Sequence, residues 1–253
     1  MTITERHHAI LDLLSKEGLV NVLELCKKLN VSSVTIRKDL KLLEDKGLLF
    51  RTHGGATLNN PYTTDKPVNV KEKLQSEEKE RIGSYAAQLL HSDDSIIIAS
   101  GTTVLAFAKK IKIDSGLTVI TGALNVALEL TLHPNIEVIQ LGGIVRKSSS
   151  SVTGPYAQNI LNDFFCTKLF LGVDGIDIEY GLTTTSATEA HLNRQMIAVS
   201  QKVIVLTDST KFGKRGFGRI CGLQEIDQII TDKGISDHYI GTLESMGIEV
   251  TIV

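Results

Sequence analysis

With 253 residues the chain has room for one large domain, or for a small domain joined to a medium one, because single hydrophobic cores stop growing efficiently near about 250 residues. A hydrophobic fraction of 42% beside 22% charged residues, with only four prolines, excludes a fibrous, low-complexity or extensively disordered chain. The formal net charge of −2 is unevenly divided: residues 1–57 carry nine Lys and Arg against seven Asp and Glu, a net +2, and residues 58–253 carry 18 against 22, a net −4. This asymmetry permits a nucleic-acid module at the front, although a field of +2 is too weak to define one.

The opening MTITERHHAI lacks the basic flank and apolar run of a secretory signal, and no window approaches the roughly 18 uninterrupted apolar residues of a membrane span. A cytoplasmic protein without membrane attachment is expected. Cys26, Cys166 and Cys221 are odd in number, widely spaced and without CxxC or His pairing, so they read as small packing residues. Neither a metal nor a cofactor is expected.

Residues 4–17 have the spacing of an amphipathic helix, with Ile10, Leu11, Leu13 and Leu14 on its apolar stripe and Gly18 at its end. Asn21 is placed to cap a second helix, VLELCKKL, in which Val22, Leu25, Cys26 and Leu29 fall at i, i+3, i+4 and i+7. Ser32 caps a third over 33–46, with Ile36, Leu40 and Leu43 inward and Gly47 ending it. About three residues separate the second and third helices, the turn of a helix-turn-helix. Beyond Gly47, LLFRTHGGATL suits two short strands around a His53-Gly54-Gly55 turn, which makes a wing. The winged unit is therefore placed at 1–57. Residues 58–75, with two of the four prolines and no apolar period, read as a linker.

From about residue 76, helical segments alternate with apolar β-rich runs at 95–100, 117–122, 136–143, 168–175, 202–209, 228–232 and 248–253. Continuous apolar strands separated by helices predict an α/β domain over 76–253, its mostly parallel sheet covered on both faces.

Two groups of residues carry chemistry. On the third helix, Ser33, Thr35, Arg37, Lys38 and Lys41 lie away from the apolar stripe. A solvated surface has the same composition, but this one belongs to the second helix of a tight pair, where a major-groove reader sits, and Arg37 can bind guanine O6 and N7 bidentately. The wing adds Arg51, His53 and the backbone amides around Gly54, which suit phosphate. In the larger domain, Ser100-Gly101-Thr102-Thr103 joins a strand to a helix and offers amides and hydroxyls to an anion, although an ordinary βα turn looks alike. Thr121-Gly122, Gly142-Gly143, Asp174 to Asp177 and Asp208 to Lys211 also follow strands, and ligands of open α/β sheets bind outside the carboxyl ends of strands. No GxGxxG follows any strand, which argues against a dinucleotide sensor.

Val31-Ser32, TIRKDL at 35–40 and LEDKGLLFRTHGGA at 43–56 resemble the winged helix of the DeoR family of bacterial regulators, and SGTT, LGGIVR, GVDGID, GLTTTSATEA and LTDSTKFGK resemble its effector domain. The resemblance implies a transcriptional regulator, most often a repressor, of carbohydrate genes. It implies a double-stranded DNA operator, a phosphorylated sugar as effector, and a homodimer or homotetramer. Ser32, Thr35, Arg37 and Lys38 are then the DNA contacts, with Arg51 and His53-Gly54-Gly55 at the wing tip. The effector domain of that family is similar in fold to ribose-5-phosphate isomerase, which implies that Ser100 to Thr103 hold the phosphate. Asp174, Asp177 and Lys211 match an aspartate pair and a lysine of the isomerase, and Glu189 falls near its base. This chain has Tyr180-Gly181-Leu182-Thr183-Thr184 where the isomerase has a lysine and a glycine run, which implies binding without turnover. The alternative is a sugar-phosphate isomerase or related enzyme with an accessory DNA-binding domain. Smaller departures are Lys38 for the family's more frequent arginine, Cys26 for alanine and Gly122 for asparagine.

Overall fold

In the computed structural model, which describes residues 1–52, 54–58, 67–114 and 116–253, the chain divides between Thr64 and Asp65 into two units. The first is built from α1 (Ile3–Glu17), β1 (Leu19–Asn21), α2 (Val22–Leu29), α3 (Ser33–Asp45), β2 (Phe50–Thr52) and β3 (Gly55–Thr57). Caps set the helix starts. Thr2 and Glu5 form a reciprocal capping box, Asn21 Oδ1 accepts from Leu23 N at 2.8 Å, and Ser32 Oγ accepts from Thr35 N at 3.2 Å. Ile10, Leu14, Leu25, Ile36, Leu40, Leu43 and Leu49 close the core between the helices. Beneath it lies a buried ion pair between α1 and α3: Arg6 Nε and Nη2 contact Asp39 Oδ2 and Oδ1 at 2.5 and 2.9 Å, and His7 Nε2 lies 3.2 Å from Oδ1.

Sequence spacing predicts a two-stranded wing, and the structure has a third strand: β1 pairs antiparallel with β3, giving the order β1-β3-β2. Three residues are too few for periodicity to reveal. Gly54 carries the turn with φ +91°, and its carbonyl accepts from Val22 N at 2.7 Å, which ties the wing to the start of α2. His53 lies outside the described residues.

The second unit begins with α4 (Val68–Lys73) and α5 (Ser76–Ala87), so part of the stretch expected as linker, 58–75, is helical. None of the side chains of α4 is buried, which is why no apolar period betrays it. Then follow β4 (Ser95–Ile98), α6 (Thr102–Ala108), β5 (Leu117–Thr121), α7 (Leu124–Leu130) and β6 (Ile136–Gln140). A short hairpin, β7 (Ile144–Arg146) and β8 (Ser151–Thr153), leads into α8 (Pro155–Leu161) and β9 (Cys166–Gly172). The rest comprises β10 (Gly175–Asp177), β11 (Gly181–Thr184), α9 (Ala187–Ala198), β12 (Ser200–Leu206), β13 (Gly218–Cys221), β14 (Gln228–Thr231), α10 (Asp237–Ser245) and β15 (Glu249–Ile252).

Seven strands form one sheet in the order β15-β14-β12-β9-β4-β5-β6, every adjacent pair parallel. All seven coincide with the predicted apolar runs. Their continuity has a direct cause: Ile97, Leu169, Leu171, Val203 and Val205 enter the core on one face, and Ile96, Ile98, Phe170, Ile204 and Leu206 enter the other. Alternate side chains point to opposite faces, and here both faces are covered. No helix among the described residues is long and apolar enough to cross a membrane.

Candidate functional site

On α3, Ile36, Asp39, Leu40 and Leu43 face inward. Arg37, Lys38 and Lys41 are exposed, while Ser33 and Thr35 are half-buried near the N-terminus of the helix. Ser32 is the cap, and its hydroxyl also lies 3.0 Å from Thr35 Oγ1. Sequence reasoning missed Val34, which is 59% exposed. Val34, Arg37, Lys38 and Lys41 stand at i, i+3, i+4 and i+7, one outward stripe that combines an apolar contact suited to a thymine methyl with three cations. In the wing, Arg51 N donates to Glu44 Oε1 at 2.9 Å, and Arg51 Nε lies 3.4 Å from Glu44 Oε2, so a carboxylate of α3 orients that arginine.

The second group of candidates is assembled by topology. From β4 the chain proceeds outward to β5 and β6, then returns to lay β9 on the other side of β4 and proceeds outward again through β12 and β14. The order reverses between β4 and β9, and in open sheets ligands bind at such a reversal, in the crevice outside the carboxyl ends of the strands. Ser100 follows β4, Asp174 follows β9 and Lys211 ends the 3-10 turn after β12, so three adjacent strands deliver them side by side.

Around them a continuous polar network forms. Glu189, in the first turn of α9, accepts from Ser100 Oγ and from Arg146 Nη1, each at 2.5 Å, and lies 3.2 Å from Thr184 Oγ1. Thr184 Oγ1 also lies 3.0 Å from Asp174 Oδ2, which accepts from Thr185 N at 3.2 Å. Asp174 Oδ1 accepts from Lys71 Nζ of α4 at 2.8 Å. Burial alone would push the Asp174 carboxyl up; the charges of Lys71 and Lys211 and the hydrogen bonds from Lys71 and Thr184 outweigh it and hold the group below its ordinary value. Gly101, at the N-cap of α6, and Thr102 are half-buried beside this network, and Thr103 is buried.

Not every predicted residue joins it. Thr121 is fully buried, its hydroxyl donating to Ile98 O at 2.7 Å and accepting from Ala123 N at 3.0 Å, so both capacities serve the strand ends. Asp177 is turned to a separate surface turn, paired with Arg215 at 2.8 and 3.0 Å and accepting from the Glu179 and Tyr180 amides. Gly143 has φ +151°, and a Cβ there would stand 2.6 Å from Thr153 O, so the Gly142-Gly143 segment serves the close approach of β8 and the delivery of Arg146. Arg146, Thr184, Thr185 and Lys71 were absent from the predicted set. The first three lie within the motifs LGGIVR and GLTTTSATEA, where their charge and hydroxyls offered a signal; Lys71, in a stretch read as linker, offered none. Among the described residues no group of His, Cys, Asp and Glu is placed to hold a metal.

Residues 6–62 match the DeoR-like helix-turn-helix domain, and residues 74–233 match the DeoR C terminal sensor domain. The HTH-type transcriptional regulator GolR of Listeria innocua is 35% identical over 250 residues, covering 98% of each chain. The HTH-type transcriptional repressor GlcR of Bacillus subtilis is 34% identical over 249 residues, 98% of this chain and 95% of that one. Ribose 5 phosphate isomerase A from Neisseria gonorrhoeae overlays with a TM-score of 0.41 at 16% identity, across 56% of this chain and 55% of that one. With both of its units matched and full-length relatives above 30% identity, the chain belongs to the DeoR family of transcriptional regulators.

Proposed function

We propose that the protein is a sequence-specific DNA-binding repressor of carbohydrate genes whose affinity for its operator is set by a phosphorylated sugar. The observation that carries the reading is the outward stripe of α3: three cations and an exposed valine at helical spacing, on the second helix of a helix-turn-helix, backed by a wing that holds Arg51. Arg37 reads a guanine, while Ser32, Ser33, Thr35, Lys38, Lys41 and the wing with Gly54 position the duplex. The chemistry of the crevice fits a ligand that is anionic and hydroxylated at once. Arg146, Lys71 and Lys211 supply positive charge, and Asp174 and Glu189 supply acceptors for hydroxyls. Glu189 takes donors from Ser100 and Arg146, an arrangement that holds a ligand rather than freeing a base, so the reading includes no turnover. A cytoplasmic homodimer or homotetramer would engage half-sites about 34–36 Å apart, or a multiple of that spacing.

Selection of binding fragments from a genomic pool tests this. The selected DNA should bind the wild-type chain with a steep salt dependence, and Lys38→Ala should flatten the slope of log K against log salt by about one while weakening all sequences alike. Failure to enrich any sequence would remove the DNA-reading assignment.

A further inference from the structure

Helix α4 is held by polar contacts rather than by a buried side chain. None of its residues is buried, and Pro67 at its N-cap contributes no side-chain hydrogen bond. A helix this short has little stability of its own in water. Lys79, buried on α5, donates from Nζ to the carbonyls of Lys71 at 2.6 Å and Leu74 at 2.5 Å and so closes the C-terminal end of α4. Exposed Glu72 meets Lys109 at 3.1 Å. Lys71 alone among the α4 contacts described reaches the crevice, through Asp174 Oδ1.

Asp174 is anchored on its other oxygen by Thr184 and Thr185, and its carboxylate lies in the field of both Lys71 and Lys211. An anion entering the crevice competes with Asp174 for these two cations. Lys211 belongs to a 3-10 turn that Asp208 caps through Thr210 N at 3.1 Å, so it is fixed from the sheet side. Lys71 rides on the weakly held helix and is the cation that can follow the ligand.

We propose that Lys71 is an effector-contacting residue and that the anionic group of a phosphorylated polyol draws it from Asp174, displacing α4 when the crevice fills. This rests on the reading of the crevice as the effector site. A ligand shifts an equilibrium only through its differential affinity for two states. Lys71 supplies that difference, since it pairs with Asp174 in one state and with the ligand in the other. In chain order α4 is the first described helix after the wing, so its displacement acts at the start of the sensor, where the chain arrives from the DNA-binding unit.

The test uses the full chain with inorganic phosphate, glycerol 3-phosphate, ribose 5-phosphate and fructose 6-phosphate. At least one should raise the melting temperature of the wild type, and the same compound at saturation should change the hydrogen-exchange rate of peptide 67–75. Lys71→Met should bind it at least tenfold more weakly, with exchange in 67–75 no longer responsive. Lys71→Arg, which keeps the charge, should retain the response, and Lys109→Met, which cuts only the exposed pair to Glu72, should leave affinity within about twofold. Wild-type affinity in Lys71→Met, or unchanged exchange in 67–75 of the saturated wild type, would overturn the proposal. No melting shift with any of the four compounds would instead overturn the crevice reading beneath it.

Discussion

Asp39→Ala is expected to unfold the winged unit and abolish DNA binding while the sensor unit remains folded. The Asp39 side chain is 4% exposed and accepts two hydrogen bonds from Arg6, itself 9% exposed, with His7 as a third neighbour. Removing one member of a buried ion pair strands the other without water or partner, at a cost of about 3–5 kcal/mol. A unit of this size has in total about 3–9 kcal/mol of stability, so the loss takes most or all of it. Calorimetry and near-neutral circular dichroism on the full chain would register one lost transition and one retained. The same pair sets an acid limit. Burial would raise the Asp39 carboxyl, yet Arg6 and His7 outweigh it and hold the group below its ordinary value. A carboxylate with a depressed folded pKa contributes stability above its unfolded value of about 3.9, and that contribution is lost as pH falls through the folded value. The winged unit should therefore weaken below about pH 4, and an Arg6→Met Asp39→Leu double variant should lose this part of the acid response. A wild-type melting profile in Asp39→Ala would show that the pair contributes nothing.

Glu189→Ala should produce the largest loss in the sensor. It removes the acceptor shared by Ser100 and Arg146, whose side chain is only 16% exposed. The penalty is expected to be about 3 kcal/mol, near the lower end for breaking a buried pair because Arg146 keeps Thr185 Oγ1 at 3.1 Å. For a unit of this length that lowers the melting temperature by about 6–12 °C. Stabilisation by sugar phosphates should vanish with it. Glu189→Gln preserves the shape and one acceptor oxygen, so it should lose about half as much stability; equal melting of both variants would show that the charge has no part in holding Arg146.

Much of this architecture is legible in the sequence because burial leaves a periodic trace. The seven sheet strands are continuous apolar runs, since residues such as Ile96 and Ile97 are buried on opposite faces. Asn21 and Ser32 mark helix starts because their side chains satisfy otherwise unpaired amides. α4 has no buried side chain and leaves no such trace, so it reads as linker, while β1 buries only Val20 in three residues, too short a run for a period to show. Of the residues gathered at the carboxyl ends of the strands, Ser100, Asp174 and Lys211 stand in strand-end motifs of the sequence, whereas Glu189, in the first turn of α9, is pointed to by the family resemblance alone. Thr121 and Asp177 share the strand-end position but their polar atoms are committed elsewhere, a distinction that depends on partners remote in sequence. Lys71 meets Asp174 across about a hundred residues, and no local pattern encodes that contact.

The most direct test of a DNA-reading helix governed by a ligand crevice is fluorescence anisotropy on genomically selected DNA, with and without the sugar phosphate that raises the melting temperature. The wild type should change its Kd for that DNA at least tenfold, about 1.4 kcal/mol of coupling. Arg37→Ala should lose about 1–3 kcal/mol of preference for selected over scrambled sequence while keeping its response to the ligand in thermal stability. Undiminished discrimination by folded Arg37→Ala, together with a wild-type Kd indifferent to every sugar phosphate that binds, would contradict the account.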